Sequence, residues 1–130
     1  MRSVYVAVAA LLSLAAAAPA HAATTAEPES PRGLFLTVSG AENTWVRGVR
    51  LHCEPQPRGH HPYAAEACDA LDVADGDLDE LPSTPRVCTK QYDPVTVAAT
   101  GTHRGEMIAW HKTFGNACEM EAATGYVFRF

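Results

Sequence analysis

Lysine is nearly absent from this chain of 130 residues. Only Lys90 and Lys112 are present, and ten basic side chains in all stand against fifteen acidic ones, a formal net charge of −5. Nucleic acid is excluded as a partner on that ground, because phosphate binding needs a basic face. Large aliphatic side chains are scarce too. The chain is 47% apolar, but the first 22 residues inflate that figure; beyond them Leu, Ile, Val and Phe together number 19. So thin a core fits one small domain, not two, and leaves little volume for a cofactor-burying enzyme.

Catalytic and metal-binding patterns are equally sparse. Beyond residue 22 the serines are Ser30, Ser39 and Ser83, none within a Gly-x-Ser-x-Gly elbow. His103 and His111 fall at an expected turn and on an expected strand, where histidines are commonly exposed. No two cysteines have the close spacing of a zinc knuckle, so His52, His60 and His61 near Cys53 and Cys68 do not read as a metal centre. The acidic run from Glu66 to Glu80 contains no basic residue. Within it, Asp75-Gly76-Asp77-Leu78-Asp79 places glycine too early for an EF-hand and lacks the distant glutamate, so it reads as a solvated helix face and turn. Neither enzymatic activity, nor a cofactor, nor a metal is expected.

What the chain does have begins at its start. Arg2 precedes an apolar run from Val4 to Ala18 broken only by Ser13, and Pro19 and Ala20-His21-Ala22 follow. That is the anatomy of a secretory signal peptide over residues 1–22, cut after Ala22 or Ala23. The run is too short for a membrane span, and no second one follows, so a secreted, extracellular protein without a membrane partner is expected. Cys53, Cys68, Cys88 and Cys118 all lie beyond the cut. An even count in a small secreted domain implies two disulfides and no thiol nucleophile. Three pairings are open; the sequential one closes loops of roughly 15 and 30 residues, each worth about 3–4 kcal/mol in the chain-entropy model.

Residues 23–32 read as a flexible polar arm, and 33–130 as the domain. Strands are expected at Leu34–Val38 and Val46–Cys53, where Val49, Leu51 and Cys53 alternate with Arg50 and His52. Pro55, Pro57 and Gly59 indicate a loop. Pro62 opens a helix through Val73 with an apolar face of Ala64, Ala65, Cys68 and Leu71, ended by Gly76. Val95–Val97 is a strand, Thr100–His103 a turn, and Met107–Phe114 a strand with Ile108, Trp110 and Phe114 on one side. Ala117–Ala123 is helical and Tyr126–Phe130 a terminal strand. The sum is an antiparallel α+β domain.

The segment Val87-Cys88-Thr89-Lys90-Gln91-Tyr92-Asp93-Pro94 stands apart. It sets a rare lysine two residues after a cysteine, with Asp-Pro stiffening its exit. A pinned, extended loop offering one long cationic side chain is what a substrate-mimicking protease inhibitor presents. The bland alternative is an ordinary disulfide-linked surface loop.

Likeness decides between them. The chain resembles the Streptomyces subtilisin inhibitor family of secreted serine-protease inhibitors. The resemblance lies in Leu36-Thr37-Val38, Val49-Arg50-Leu51-His52-Cys53-Glu54-Pro55, Gly59-His60-His61-Pro62, Ala67-Cys68, Gly76-Asp77-Leu78, the 87–94 segment, Phe114-Gly115-Asn116-Ala117-Cys118-Glu119-Met120 and Tyr126-Val127-Phe128-Arg129-Phe130. It implies a five-stranded antiparallel sheet with two short helices, disulfides Cys53–Cys68 and Cys88–Cys118, and a homodimer. It implies a reactive bond between Lys90 and Gln91, with Val87, Cys88 and Thr89 contacting the protease on one side and Tyr92 and Asp93 on the other. Asn116 matches the family asparagine that braces the loop, and Pro94 supports its exit. Thr89 stands where proline is frequent, and Lys90 where some members carry an apolar residue. A cationic residue there implies trypsin-like targets, with subtilisin-like proteases second. The rival reading is a secreted interaction or substrate protein, processed or cross-linked by an exported enzyme, without strong inhibition.

Overall fold

The computed structural model describes residues 32–130. The expected signal segment, and the arm apart from Arg32, lie outside them. Strands β1 (Gly33–Gly40) and β2 (Val46–His52) form a hairpin, followed by the two-residue β3 (Arg58–Gly59) and helix α1 (Ala64–Val73). After a long irregular stretch come β4 (Val95–His103), β5 (Glu106–Phe114) and helix α2 (Ala117–Thr124). The strands make one sheet in the order β3-β2-β1-β4-β5, and every neighbouring pair is antiparallel.

Alternation fixes which face is covered. Leu34, Leu36 and Val38 of β1, Leu51 of β2, and Val95, Val97 and Ala99 of β4 are buried, whereas Phe35 between two of them is exposed. Against that face pack Ala67, Cys68 and Leu71 of α1, Met120 of α2, and Val127 and Phe128 of the C-terminal segment. Trp110 of β5 stacks on Phe128 with ring centroids 5.9 Å apart. Both disulfides expected from the resemblance are present: Cys53–Cys68 ties β2 to α1, and Cys88–Cys118 ties the irregular stretch to α2.

Two strand expectations are corrected, although the count of five holds. Residues 126–130 form turns instead of a strand, with Val127 N–H donating to Thr124 O and Arg129 N–H to Tyr126 O. Val127 and Phe128 are both buried, and consecutive burial is incompatible with the alternation a half-buried strand requires. The fifth strand is β3, inside the expected Pro/Gly loop, where Leu51 pairs with Gly59 and His52 with Arg58.

The expected turn at Thr100–His103 is strand as well. Gly101, at φ +129°, lets β4 run close against β1, where a Cβ would meet Gly33 O at 2.1 Å. The reversal falls instead at Arg104-Gly105, both with positive φ, as a tight hairpin requires. On α1 Ala67 is covered together with Cys68 and Leu71, whereas Ala65, expected on the apolar face, is exposed.

The β4–β5 hairpin also changes the reading of the acidic run. Arg104 Nη2 lies 3.0 Å from Asp72 Oδ1, and Lys112 Nζ lies 3.1 Å from Asp79 Oδ1. Hydrogen bonds from Lys112 and then Trp110 hold the Asp79 carboxyl below the usual carboxylate range. His103, expected to be exposed, is buried, its Nε2 3.2 Å from Asp72 Oδ1 but without hydrogen-bond alignment. The run is therefore partly neutralised by cations from the hairpin.

Candidate functional site

Leu81 is buried, Val95 begins β4, and the chain between them has no regular structure. Its side chains point outward. Val87 is fully exposed, Tyr92 is 81% exposed, and the Lys90 side chain is 94% exposed. Thr89, Gln91 and Asp93 are exposed as well, and Cys88 and Pro94 are half-buried.

An exposed irregular loop would normally be mobile, but this one is tied repeatedly to the adjoining Gly115–Ala122 segment. Thr84 N–H donates to Ala122 O at 2.8 Å, and Asp93 N–H to Gly115 O at 2.9 Å. Arg86 Nη1 donates to Glu121 Oε2 at 2.6 Å. Cys88 is bonded to Cys118, with Cα atoms 5.7 Å apart. Asn116 supplies the centre: its Nδ2 donates to Thr89 O at 3.1 Å and to Gln91 O at 2.9 Å.

The position of Asn116 follows from helix chemistry. It is the N-cap of α2, in extended conformation, and its Oδ1 accepts the Glu119 N–H at 2.9 Å. Capping consumes the oxygen and leaves the amide nitrogen, whose two hydrogens match two carbonyls. The residue is buried, so water does not compete well for those bonds. Thr89 and Gln91 thus have their carbonyls held, and Lys90 between them accepts no hydrogen bond among the described residues. Lys90 Nζ lies 3.8 Å from Glu119 Oε1, a solvent-exposed contact of small energy.

The arrangement offers one braced, outward-facing peptide unit whose carbonyl accepts no hydrogen bond among the described residues and whose cationic side chain is exposed. Val87, Cys88, Thr89, Lys90, Gln91, Tyr92, Asp93, Pro94 and Asn116 are all brought together. Sequence reasoning missed Thr84, Arg86 and Glu121. Arg86 and Glu121 are 35 residues apart, and nothing in their spacing marks them as partners.

A five-stranded sheet carrying a disulfide-pinned exposed loop braced from a helix N-cap defines a class of protein. The model of the family described as subtilisin inhibitor-like matches residues 30–116, and the chain belongs to that family. A subtilase-type protease inhibitor from Streptomyces fradiae is 45% identical over 107 residues, covering 78% of this chain and 75% of its own. A transglutaminase-activating metalloprotease inhibitor from Streptomyces mobaraensis is 38% identical over 107 residues, covering 78% of this chain and 72% of its own. Among solved structures, Streptomyces caespitosus sermetstatin, in complex with Bacillus licheniformis subtilisin, superposes with a TM-score of 0.63. It is 37% identical and covers 75% of this chain and 97% of its own.

Proposed function

We propose that this chain is a secreted inhibitor of serine proteases, and that Lys90–Gln91 is the bond it offers them. The observation that carries the reading is the bracing of the two carbonyls flanking Lys90 by one buried asparagine, while Lys90 itself stays exposed. A protease receives a strand already in binding conformation, so little ordering entropy is lost.

The chemistry is that of a substrate that fails to leave. The target's serine oxygen adds to the Lys90 carbonyl carbon, and its proton passes to the departing Gln91 nitrogen. The Lys90–Gln91 bond breaks as the acyl–oxygen bond forms. Cys88–Cys118 and Asn116 keep the acyl side in place, and Asn116 and Gly115 keep the Gln91 amine beside it. The amine therefore attacks the acyl group again before water does. Lys90 suits a primary pocket with a buried carboxylate, which makes trypsin-like proteases the first targets. The sermetstatin–subtilisin complex supports subtilisins as the second.

The chain also pairs with a second copy in this reading, supported by Phe35 and Met107 exposed on the uncovered face of the sheet. Sedimentation velocity showing a two-protomer species checks that point; a monomer at micromolar concentration rejects it.

Titrating trypsin and subtilisin with the purified protein tests the main proposal. Tight loss of activity at one protomer per enzyme supports it, with any nick at mildly acidic pH falling between Lys90 and Gln91. Rapid digestion without inhibition favours the substrate reading instead. The mobaraensis relative makes a metalloprotease the third enzyme to titrate.

A further inference from the structure

Asn116 holds a carbonyl on each side of Lys90, and each side also carries a backbone bond; only the N-terminal side adds a disulfide and an ion pair. On the C-terminal side the tethers are the Asn116 Nδ2 bond to Gln91 O and the Asp93 N–H bond to Gly115 O. On the N-terminal side, between Leu81 and Cys88, they are the Thr84–Ala122 backbone bond and the Arg86–Glu121 ion pair. Glu121 is shared: Arg129 Nη2 lies 3.7 Å from the same Oε2. The Arg129 guanidinium also sits 5.1 Å from the ring centroid of Tyr126, which meets Tyr63 at 5.3 Å. Two cations, one from the loop and one from the C-terminal segment, thus meet on one carboxylate of α2.

We propose that Glu121 is a positioning residue that locks the loop's N-terminal shoulder. The proposal rests on the inhibitory reading above for its purpose, and on the geometry alone for the lock. A charge-assisted pair at 2.6 Å between side chains about one-third exposed is well placed to hold the shoulder. Without it, Ser83 to Val87 keep the Thr84 bond and, at their C-terminal end, the Cys88–Cys118 disulfide. Once Lys90–Gln91 is cut, that shoulder leads into the acyl half, which Cys88–Cys118 and Asn116 also hold, so its looseness adds to the share of acyl groups that water reaches before the Gln91 amine. Glu121 is only half-buried and lies outside the core cluster, which separates this role from general stability.

Glu121→Gln keeps shape and helix propensity while removing the charge. Two amides report on the free protein without any protease: Thr84, bonded to Ala122, and Asp93, bonded to Gly115. The expected result is Thr84 hydrogen exchange faster by about three- to tenfold, with Asp93 unchanged. With stoichiometric subtilisin, cleavage of the loop accelerates by a similar factor while Tm moves little. Arg86→Gln reproduces both effects, and the double variant adds little to either single one. Equal changes at Thr84 and Asp93, no change at Thr84, or additive effects in the double variant would overturn the proposal. Failure of the wild-type protein to inhibit any protease, with the exchange asymmetry intact, would instead reject the inhibitory reading and leave the lock standing.

Discussion

At the scale of single residues, the proposed function divides the loop's work between a side chain offered to the target and one that braces the loop from behind. Lys90 is the former. Replacing it with alanine is expected to abolish inhibition of trypsin while reducing that of subtilisin far less, since only a carboxylate-bearing pocket depends on the ammonium group. Inhibition constants for both enzymes check this, and equal losses would relocate the site. Asn116 is the latter, and its two duties can be separated. Asn116→Asp keeps an oxygen to cap α2 but removes both donors to Thr89 O and Gln91 O. We expect stability lower by about 2 kcal/mol and loop hydrolysis faster by about thirtyfold, each of the two lost bonds being worth about 1 kcal/mol. Asn116→Ala, losing the cap as well, should cost a further ~1 kcal/mol of stability in denaturant titration.

At the scale of elements, the two disulfides have different purposes despite similar chemistry. Cys53–Cys68 spans 15 residues and joins β2 to α1, away from the loop; Cys88–Cys118 spans 30 and ends inside it. Replacing either pair with serine is expected to lower stability by about 3–4 kcal/mol. Only loss of Cys88–Cys118 should also turn the folded protein into a rapidly digested substrate, read by mass spectrometry of a protease incubation.

Elements also show where sequence reading succeeds and where it stops. The burial of β1 was legible because Leu34, Leu36 and Val38 alternate with outward residues. β3 was not legible, since Arg58-Gly59 has no strand character of its own and is extended because Arg50 to His52 accept it. The 126–130 segment resembled a strand in composition, but its consecutive residues Val127 and Phe128 are both buried in the core, which a half-buried strand does not allow. Of the site, the exposed loop was visible through its cysteine, lysine and Asp-Pro exit. Its bracing by Asn116 came from resemblance, and the Arg86–Glu121 contact from neither, because a pair 35 residues apart exists only after the fold forms.

At the scale of the whole molecule, one histidine makes stability depend on pH. His61 is only 5% exposed, with Nε2 3.0 Å from Val127 O and Nδ1 accepting the Tyr63 N–H at 3.0 Å. The ring thus joins the entrance of α1 to the C-terminal segment as a neutral imidazole carrying its proton on Nε2. Burial pushes its pKa below the ordinary 6.5, against smaller upward pulls from the Val127 carbonyl and Glu66. The unfolded chain therefore binds a proton at a higher pH than the folded one. This contribution is full above about pH 6.5 and falls away as the solution is acidified below it. Tm should drop between about pH 7 and about pH 5, and His61→Gln should flatten that slope while lowering Tm at neutral pH. Calorimetry across the range checks both; an unchanged slope in the variant would assign the effect to another group.

The hydrogen bonds from Asn116 go to main-chain oxygens, which every amino acid possesses, and the side chain of residue 90 contributes no packing to the core. Under the proposed function, choice of target and retention of fold are thereby uncoupled. On that reading, a change at position 90 alters which pocket the loop fits without disturbing the scaffold behind it. A lineage carrying this architecture can follow a changing set of proteases one codon at a time, and an engineer can saturate position 90 and expect nearly every variant to fold.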